Sequence, residues 1–384
     1  MLNNQKKKVL ISGAGVAGII CAILLDKEKY DVELIEQADT FRNIGFSVVI
    51  WKNGFDSLIS LLENSGEYLK EEKDYFKADN IILFAGNRLR KIKEVNISDY
   101  AFTFERAHLM KILERVLSKN IPKENVSFGK CIKTLLCTEI STKATFNNGL
   151  TKEYDFVIIA EGINSTSRSI VPIAERIITV PFVAFYVWFS TQTNLKKNVA
   201  IFLTKGSLGV IHPPYFKNLF GGFLKKGLSS KDLTNFEKAA LKNIKQPNGK
   251  PVIIDIKKGR IFDLKEIYVN SYIYKQIVFV GDAAHGRPPM LGFGTPLAIE
   301  DAVSISKILN ELEDFSAINV SETLDSFSST RIKRVESVYK LQNFCHRLFI
   351  TDNPIKVFLL ALSLKLFLSI WIKSKVKNLI NSTV

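Results

Sequence analysis

Val9 to Ser12 is a short apolar run that ends in Gly13-Ala14-Gly15-Val16-Ala17-Gly18; Ile19 to Leu25 then continues as an apolar helix, and Asp31 to Glu36 reads as a second strand. Strand, glycine turn, helix and strand in about 30 residues make a βαβ unit with a right-handed crossover, which restricts the chain to an α/β fold with a parallel sheet. Each glycine answers a physical need. Gly13 permits the tight turn, Gly15 lets a pyrophosphate approach the backbone, and Gly18 allows the helix to pack close to the strand. The helix start at Val16 and Ala17 then presents unpaired N–H groups and a positive dipole end to phosphates. Glu36 lies 18 residues after Gly18, at the end of the second strand, where a carboxylate can accept from both ribose hydroxyls of an adenine dinucleotide.

Two later runs, Phe156 to Ala160 and Ile277 to Val280, are apolar without alternation, as expected of central parallel strands covered on both faces. Each stops at an acidic residue beside a glycine, Glu161-Gly162 and Gly281-Asp282, which puts polar groups at the carboxyl ends of strands, where doubly wound sheets bind ligands. Between these runs the character changes. Asn80 to Val95 looks like a hairpin turning at Gly86-Asn87, and Pro181 to Leu224 reads as β-rich segments separated by Gly and Pro. Arg106 to Lys119 has helical spacing, with Leu109, Ile112, Leu113, Val116 and Leu117 on one face, and Cys131 to Phe146 with the Asn147-Asn148-Gly149 turn suggests a small meander. The predicted architecture is a Rossmann-like dinucleotide domain assembled from residues 1–75, 98–178 and 272–330. An antiparallel-sheet substrate domain, residues 76–97 and 179–271, is inserted into it, and a helical region follows over 331–384.

Composition sets further bounds. The 384 residues carry 53 Lys plus Arg against 38 Asp plus Glu, a net charge of +15, with 46% hydrophobic and 24% charged residues, so disorder and fibrous repeats are excluded. Lysines are spread along the chain without a basic stripe, which speaks against nucleic acid. Cys21, Cys131, Cys137 and Cys345 form no CxxC pair, so a zinc ribbon and a disulfide scaffold are excluded and free thiols in a reducing cytosol are expected. His108, His212, His285 and His346 do not stand at metal-ligand spacings, and no metal is expected. The N-terminus has no signal-peptide pattern, so a cytoplasmic location is expected. Ile355 to Ile372 is apolar at 14 of 18 positions, interrupted by Lys356, Ser363, Lys365 and Ser369. A lysine at its centre would be costly in lipid, so the reading is a helix packed on the protein, or lying on a membrane surface, rather than a span.

The segment Val278-Phe-Val-Gly-Asp-Ala-Ala-His-Gly-Arg-Pro-Pro-Met-Leu-Gly-Phe-Gly-Thr-Pro-Leu-Ala-Ile-Glu-Asp-Ala302 resembles the flavin-contacting signature of the class A flavoprotein monooxygenases, aromatic hydroxylases built like para-hydroxybenzoate hydroxylase. Asp282 can take a ribityl or ribose hydroxyl, while Gly292 and Gly294 let the chain pass close to a flat ring. Pro296 suits the first turn of a helix whose N-terminus stabilises negative charge on a reduced flavin. Asp155 to Arg168 is similar to the family's middle motif, with Glu161 where the family has aspartate and with Ser165 and Arg168 matching.

The resemblance spans roughly residues 8 to 345 in the expected order. It implies FAD, reduced by NADPH or NADH, that reacts with O2 through a C4a-hydroperoxide and hydroxylates an aromatic or polycyclic small molecule. Carried onto this sequence, the cofactor-binding residues, for the flavin or the nicotinamide, are Gly13, Gly15, Val16, Ala17, Gly18, Glu36, Arg42, Arg106, Glu161, Arg168, Gly281, Asp282, Pro289, Gly292, Gly294 and Thr295. Tyr186, Trp188 and Phe220 are expected at the substrate, and His212 is expected to orient or deprotonate a substrate hydroxyl. The family includes tetracycline-inactivating enzymes, but Trp188 and the apolar segment near Val199 stand where those would want polar groups. Three other readings stay open: tetracycline-type inactivation, an FAD-linked reductase acting on a lipid-like substrate without inserting oxygen, and a flavin-binding protein without turnover. Substrate identity, the choice of nicotinamide, and monomer against dimer are open at this stage.

Overall fold

The computed structural model describes residues 5–41, 47–86, 88–189, 191–212, 218–254, 259–351 and 353–371. Its centre is a six-stranded sheet in the order Ile273–Tyr274, Ile277–Phe279, Phe156–Ile159, Lys7–Ser12, Tyr30–Ile35, Val126–Ser127, parallel except for the first strand. Val9, Leu10 and Ile11 are fully buried, as are Val157, Ile158 and Ile159, which is why these strands read as unbroken apolar runs. Their carboxyl ends stand in line: Ala160 donates to the Ser12 carbonyl at 2.7 Å and Val280 to the Ile159 carbonyl at 3.0 Å. The Val16–Leu24 helix covers one face and packs on the Gly294–Glu311 and Arg106–Asn120 helices. Its close approach depends on Gly18, where an added Cβ would lie 1.9 Å from the Gly13 carbonyl oxygen.

The second large layer is a seven-stranded sheet in the order Arg260–Val269, Glu175–Phe189, Asn218–Lys225, Ser207–His212, Asn198–Thr204, Asn80–Ala85, Arg90–Asn96. The sheet is mixed where a purely antiparallel one was expected, because Asn198–Thr204 runs parallel to Asn80–Ala85. The two come from distant stretches of chain, so no tight turn dictates their direction. Glu175–Phe189 starts before the expected domain edge at 179, since Glu175 to Ile178 pair with Val269 to Glu266. Phe76–Lys77 pairs instead with Ala101–Glu105, in a small sheet with Ser47–Trp51. One face of the seven-stranded sheet packs on the Ser230–Lys242 helix, which was not separated in the sequence reading although Ser229 and Asp232 form its capping box. The opposite face looks toward the carboxyl ends of the parallel strands.

A 33-residue helix, Ala317–Phe349, follows the Gly294–Glu311 helix, and Pro354–Trp371 forms the last described helix, lying against the Asn80–Asn96 hairpin. No described helix is long and apolar enough to cross a membrane.

Candidate active site

A cavity of about 590 Å³ opens between the carboxyl ends of the parallel strands and the free face of the seven-stranded sheet. Gly15, Val16 and Ala17 form its wall at the start of the first helix, whose N-terminus has neither a side-chain cap nor an acidic residue in its first turn. The three motif glycines divide their work. At Gly13, φ is +107° and a Cβ would stand 2.4 Å from the Ala160 carbonyl oxygen, so Gly13 and Gly18 close the turn. A Cβ on Gly15 meets nothing within 4 Å and would project into open space. That open cradle beneath uncapped N–H groups suits a pyrophosphate. Glu36 stands half-buried beyond it, held at its strand end by the Ala14 and Ala38 N–H groups, both at 2.9 Å.

Arg106 enters the cavity from the first turn of the Arg106–Asn120 helix, and Asp282 enters from the strand end beside Gly281. Asp282 borders the open cavity, yet the protein around it raises its pKa by desolvation, against the pull of His285, Arg106 and Arg168. Burial lowers the pKa of Arg106, and Asp282 opposes that shift. Gly281 adopts φ +60°, and a Cβ there would come within 3.3 Å of Ala298 and 3.5 Å of Ala17, so the Asp282 loop is wedged between two helices. Pro289, Gly292, Gly294 and Thr295 line the next stretch of wall. The Gly294–Glu311 helix has no side-chain cap, and its N-terminus points its dipole at the cavity. The residues present therefore fit FAD: a phosphate cradle, a ribose acceptor at Glu36, a hydroxyl acceptor at Asp282, and a helix end for the flavin's anionic edge.

Four expected contacts are placed otherwise. Glu161 is consumed internally. Its Oε1 accepts from the Ser12 and Ser167 hydroxyls, both at 2.7 Å, and its Oε2 accepts from Ser165 Oγ at 2.7 Å and the Ser167 N–H at 3.1 Å. Arg168 is buried outside the cavity lining. It donates to the carbonyls of Ala283 at 2.9 Å, Ile163 at 2.7 Å and Gly162 at 3.3 Å, and pairs with Glu175 at 2.9 Å. Both residues hold the loops that carry Gly162 and Asp282 instead of reaching into the cavity. Phe220 points to the far face of the sheet, fully buried against Phe185, Phe202 and Phe236. Trp188 is half-buried and outside the lining, whereas Tyr186 belongs to it. Arg42 lies outside the described residues.

His212 ends its strand at the cavity wall, with Nδ1 unpartnered and burial lowering its pKa to about 4. The ring is therefore neutral at ordinary pH and a poor base toward a hydroxyl, while remaining a good hydrogen-bonding partner. The sheet side of the cavity is otherwise mostly apolar, with Ile81, Leu83, Val199, Ile201 and Val210 alongside the aromatic Phe185, Tyr186, Phe223 and Phe262, and with Thr103 at its edge.

Two supports were not found in the sequence reading. Trp51 donates to the Leu291 carbonyl at 2.9 Å and stacks on Phe293 at 5.7 Å, fixing the glycine-rich loop. Behind the cavity, Asp301 accepts from the Gly281 N–H at 2.7 Å and from Arg331 Nε at 2.7 Å, and meets His285 Nε2 at 2.6 Å. Arg331 also binds Glu300 at 3.1 Å, and Glu300 takes Arg334 at 2.8 Å. His285 and Arg331 hold Asp301 well below the usual carboxylate range despite its burial. Acidic residues inside an apolar helical face, Glu300-Asp301, were the available signal.

The sequence profile of a family described as FAD binding domain matches residues 6–342. The chain is 22% identical over 382 residues to the FAD-dependent monooxygenase ausM of Aspergillus calidoustus, covering 91% of this chain and 82% of that protein. It is 24% identical over 386 residues to the 6-methylsalicylate 1-monooxygenase atA of Aspergillus terreus, covering 91% and 84%. Among solved structures, tetracycline destructase Tet(55) superposes with a TM-score of 0.70 at 17% identity, covering 100% of this chain and 99% of that one. Klebsiella pneumoniae HpxO complexed with FAD and uric acid gives 0.75 at 16%, covering 98% and 95%.

Proposed function

We propose, from the premise that this chain belongs to the FAD binding domain family, that it is an FAD-dependent monooxygenase that hydroxylates an aromatic or polycyclic small molecule at the expense of a nicotinamide dinucleotide and O2. The observation that carries this reading is a single cavity with a dinucleotide cradle on one wall and an apolar sheet face of aliphatic and aromatic side chains on the other. When bound, reduced FAD would supply the two electrons that activate O2, one atom of which passes to the substrate while the other leaves as water.

The chain's own residues do the rest. The amides after Gly15 hold the pyrophosphate, Glu36 the ribose, and Asp282 a hydroxyl of the cofactor chain. Arg106 and the N-terminus of the Gly294–Glu311 helix place positive potential where negative charge gathers on the flavin. Ile81, Leu83, Val199, Ile201 and Val210 exclude water and take up apolar substrate surface, while neutral His212 orients a polar group of the substrate. So apolar a wall suits an aromatic or polycyclic substrate with few polar groups. It offers few polar partners for a tetracycline-type substrate, and the FAD-dependent monooxygenases among the relatives favour oxygen insertion over the reductase reading. All four cysteines are free thiols, which supports a reducing compartment and a cytoplasmic location.

The test is nicotinamide oxidation and O2 uptake by the FAD-loaded protein over a panel of phenolic and polycyclic compounds, with isotopically labelled oxygen traced into product. Substrate-stimulated consumption with label in the product is expected. Reduction of the flavin without any label in product would reject the monooxygenase reading.

A further inference from the structure

The Pro354–Trp371 helix has two apolar faces, and the protein covers only one of them. Val357, Leu360 and Ala361 are buried, the last two packed on Phe182, Ala184, Leu203 and Phe223 of the seven-stranded sheet, and Leu364 on the same face lines the cavity. The opposite face carries Ile355, Phe358, Leu359, Leu362 and Leu366, each between 45% and 68% exposed. Their spacing follows the helical period, so they form one continuous stripe from residue 355 to residue 366, about 18 Å of helix. An apolar stripe of that length left in water is a contact surface for something else.

Charge identifies the occupant. On the helical wheel the exposed Lys356 and Lys365 fall on opposite borders of the stripe, where their stems can lie along an apolar layer while the ammonium groups reach out of it. The helix contains no acidic residue, the sequence continues with Lys373, Lys375 and Lys377, and the whole chain carries +15. Basic flanks around an apolar stripe match the headgroup layer of an anionic bilayer, and the same charge repels a second copy of this chain. With its inner face packed on the sheet and Lys356 and Lys365 bordering the outer one, the helix can meet a bilayer only along its length, in the interfacial plane.

We propose that the outer face of the Pro354–Trp371 helix docks the protein on an anionic lipid surface. Because the inner face of the same helix contributes Leu364 to the cavity wall, at that point the docked helix stands between the bilayer and the cavity, a thickness of about 10 Å. This surface exists whatever reaction the cavity performs, so its test is independent of the chemistry proposed above.

The experiment is flotation of the full-length, FAD-loaded protein with vesicles of phosphatidylcholine containing phosphatidylglycerol, compared with pure phosphatidylcholine. The expected result is binding to the anionic vesicles that falls about tenfold or more on neutral ones and in high salt. A Phe358→Ser/Leu362→Ser variant and a Lys356→Glu/Lys365→Glu variant should each lose about tenfold or more of that binding while keeping flavin content and thermal midpoint. Failure to float with anionic vesicles would overturn the proposal, as would binding that ignores both double substitutions. So would a dimer in sedimentation velocity that the Phe358→Ser/Leu362→Ser variant dissolves, because the stripe would then be covered by a second copy.

Discussion

Arg168 Nη1 donates to the Ala283 carbonyl at 2.9 Å, joining the loop after one central strand to the loop after its neighbour. The guanidinium satisfies three carbonyls and a carboxylate while only 3% of the residue is exposed. Truncation to Arg168→Ala leaves those acceptors without partners, and a loss of about 2–4 kcal/mol of stability is expected. FAD affinity should fall as well, because Asp282 loses its support. Thermal unfolding and flavin titration check both effects; an unchanged midpoint would show that the clamp is dispensable.

Gly15 and Gly18 should fail in different ways. Gly15→Val places its side chain in open space and is expected to yield a folded protein that no longer holds FAD. Gly18→Ala drives a Cβ to within 1.9 Å of a backbone oxygen and is expected to cost the fold itself. Circular dichroism and flavin absorbance separate the two. A Gly15→Val protein that retains full flavin content would remove the pyrophosphate from this turn.

At Asp282, binding and stability should pull in opposite directions. Although Asp282 faces the open cavity, desolvation by the protein around it raises its pKa above the ordinary carboxylate value of 3.8, so the folded apoprotein holds this proton more tightly than the unfolded chain does. Stability of the apoprotein contributed by this group is present at acid pH and is lost as pH rises from the ordinary carboxylate range through the raised value. Asp282→Asn should accordingly make the apoprotein more stable at neutral pH, while Asp282→Ala weakens FAD binding by about 1–3 kcal/mol. Denaturation of the apoprotein against pH, with FAD titration of both variants, is the measurement.

His212 titrates in the other sense. Its folded pKa of about 4 lies below the ordinary 6.5, so the unfolded chain takes up the proton first and stability falls as pH drops from about 6.5 toward 4. Between about pH 6 and 9 the ring does not ionise, and kcat/KM should show no step from this residue. His212→Leu should remove that acid-side loss of stability and lower kcat/KM with flavin content intact, whereas His212→Gln should keep part of the activity. A kcat/KM that is indifferent to both substitutions would take His212 out of the substrate site.

The parts of the site that were legible in the sequence are those fixed by local backbone demands. Gly13, Gly281 and Gly292 adopt positive φ in their turns, Gly18 closes on the Gly13 carbonyl just before it in sequence, and Asp282 follows directly from its strand end. What was hidden depends on partners far away in sequence. Glu161 meets Ser12 across 149 positions, and no reading of its own motif reveals that its four hydrogen bonds are already made. Phe220 sits before Gly221-Gly222, so its strand has no alternating pattern to assign it a face. Pairing decides the matter: Phe220 stands opposite Val187, on the core side, while Tyr186 stands on the cavity side. In the Pro354–Trp371 helix apolar residues surround the axis, which left packing and lipid contact as rival readings until the fold gave each face its own surroundings.

The buried chain from Arg331 through Asp301 to the Gly281 amide also sets an order of assembly. During synthesis the glycine turn at residues 13–18 leaves the ribosome long before Arg331, yet the loop that completes the flavin pocket is fastened by that guanidinium. The nascent chain is thus expected to carry a half-built pocket, and to capture its cofactor only once the long helix bearing Arg331 has been released. Loss of the chain from Arg331 onward would remove this fastening even though it spares every glycine of the motif.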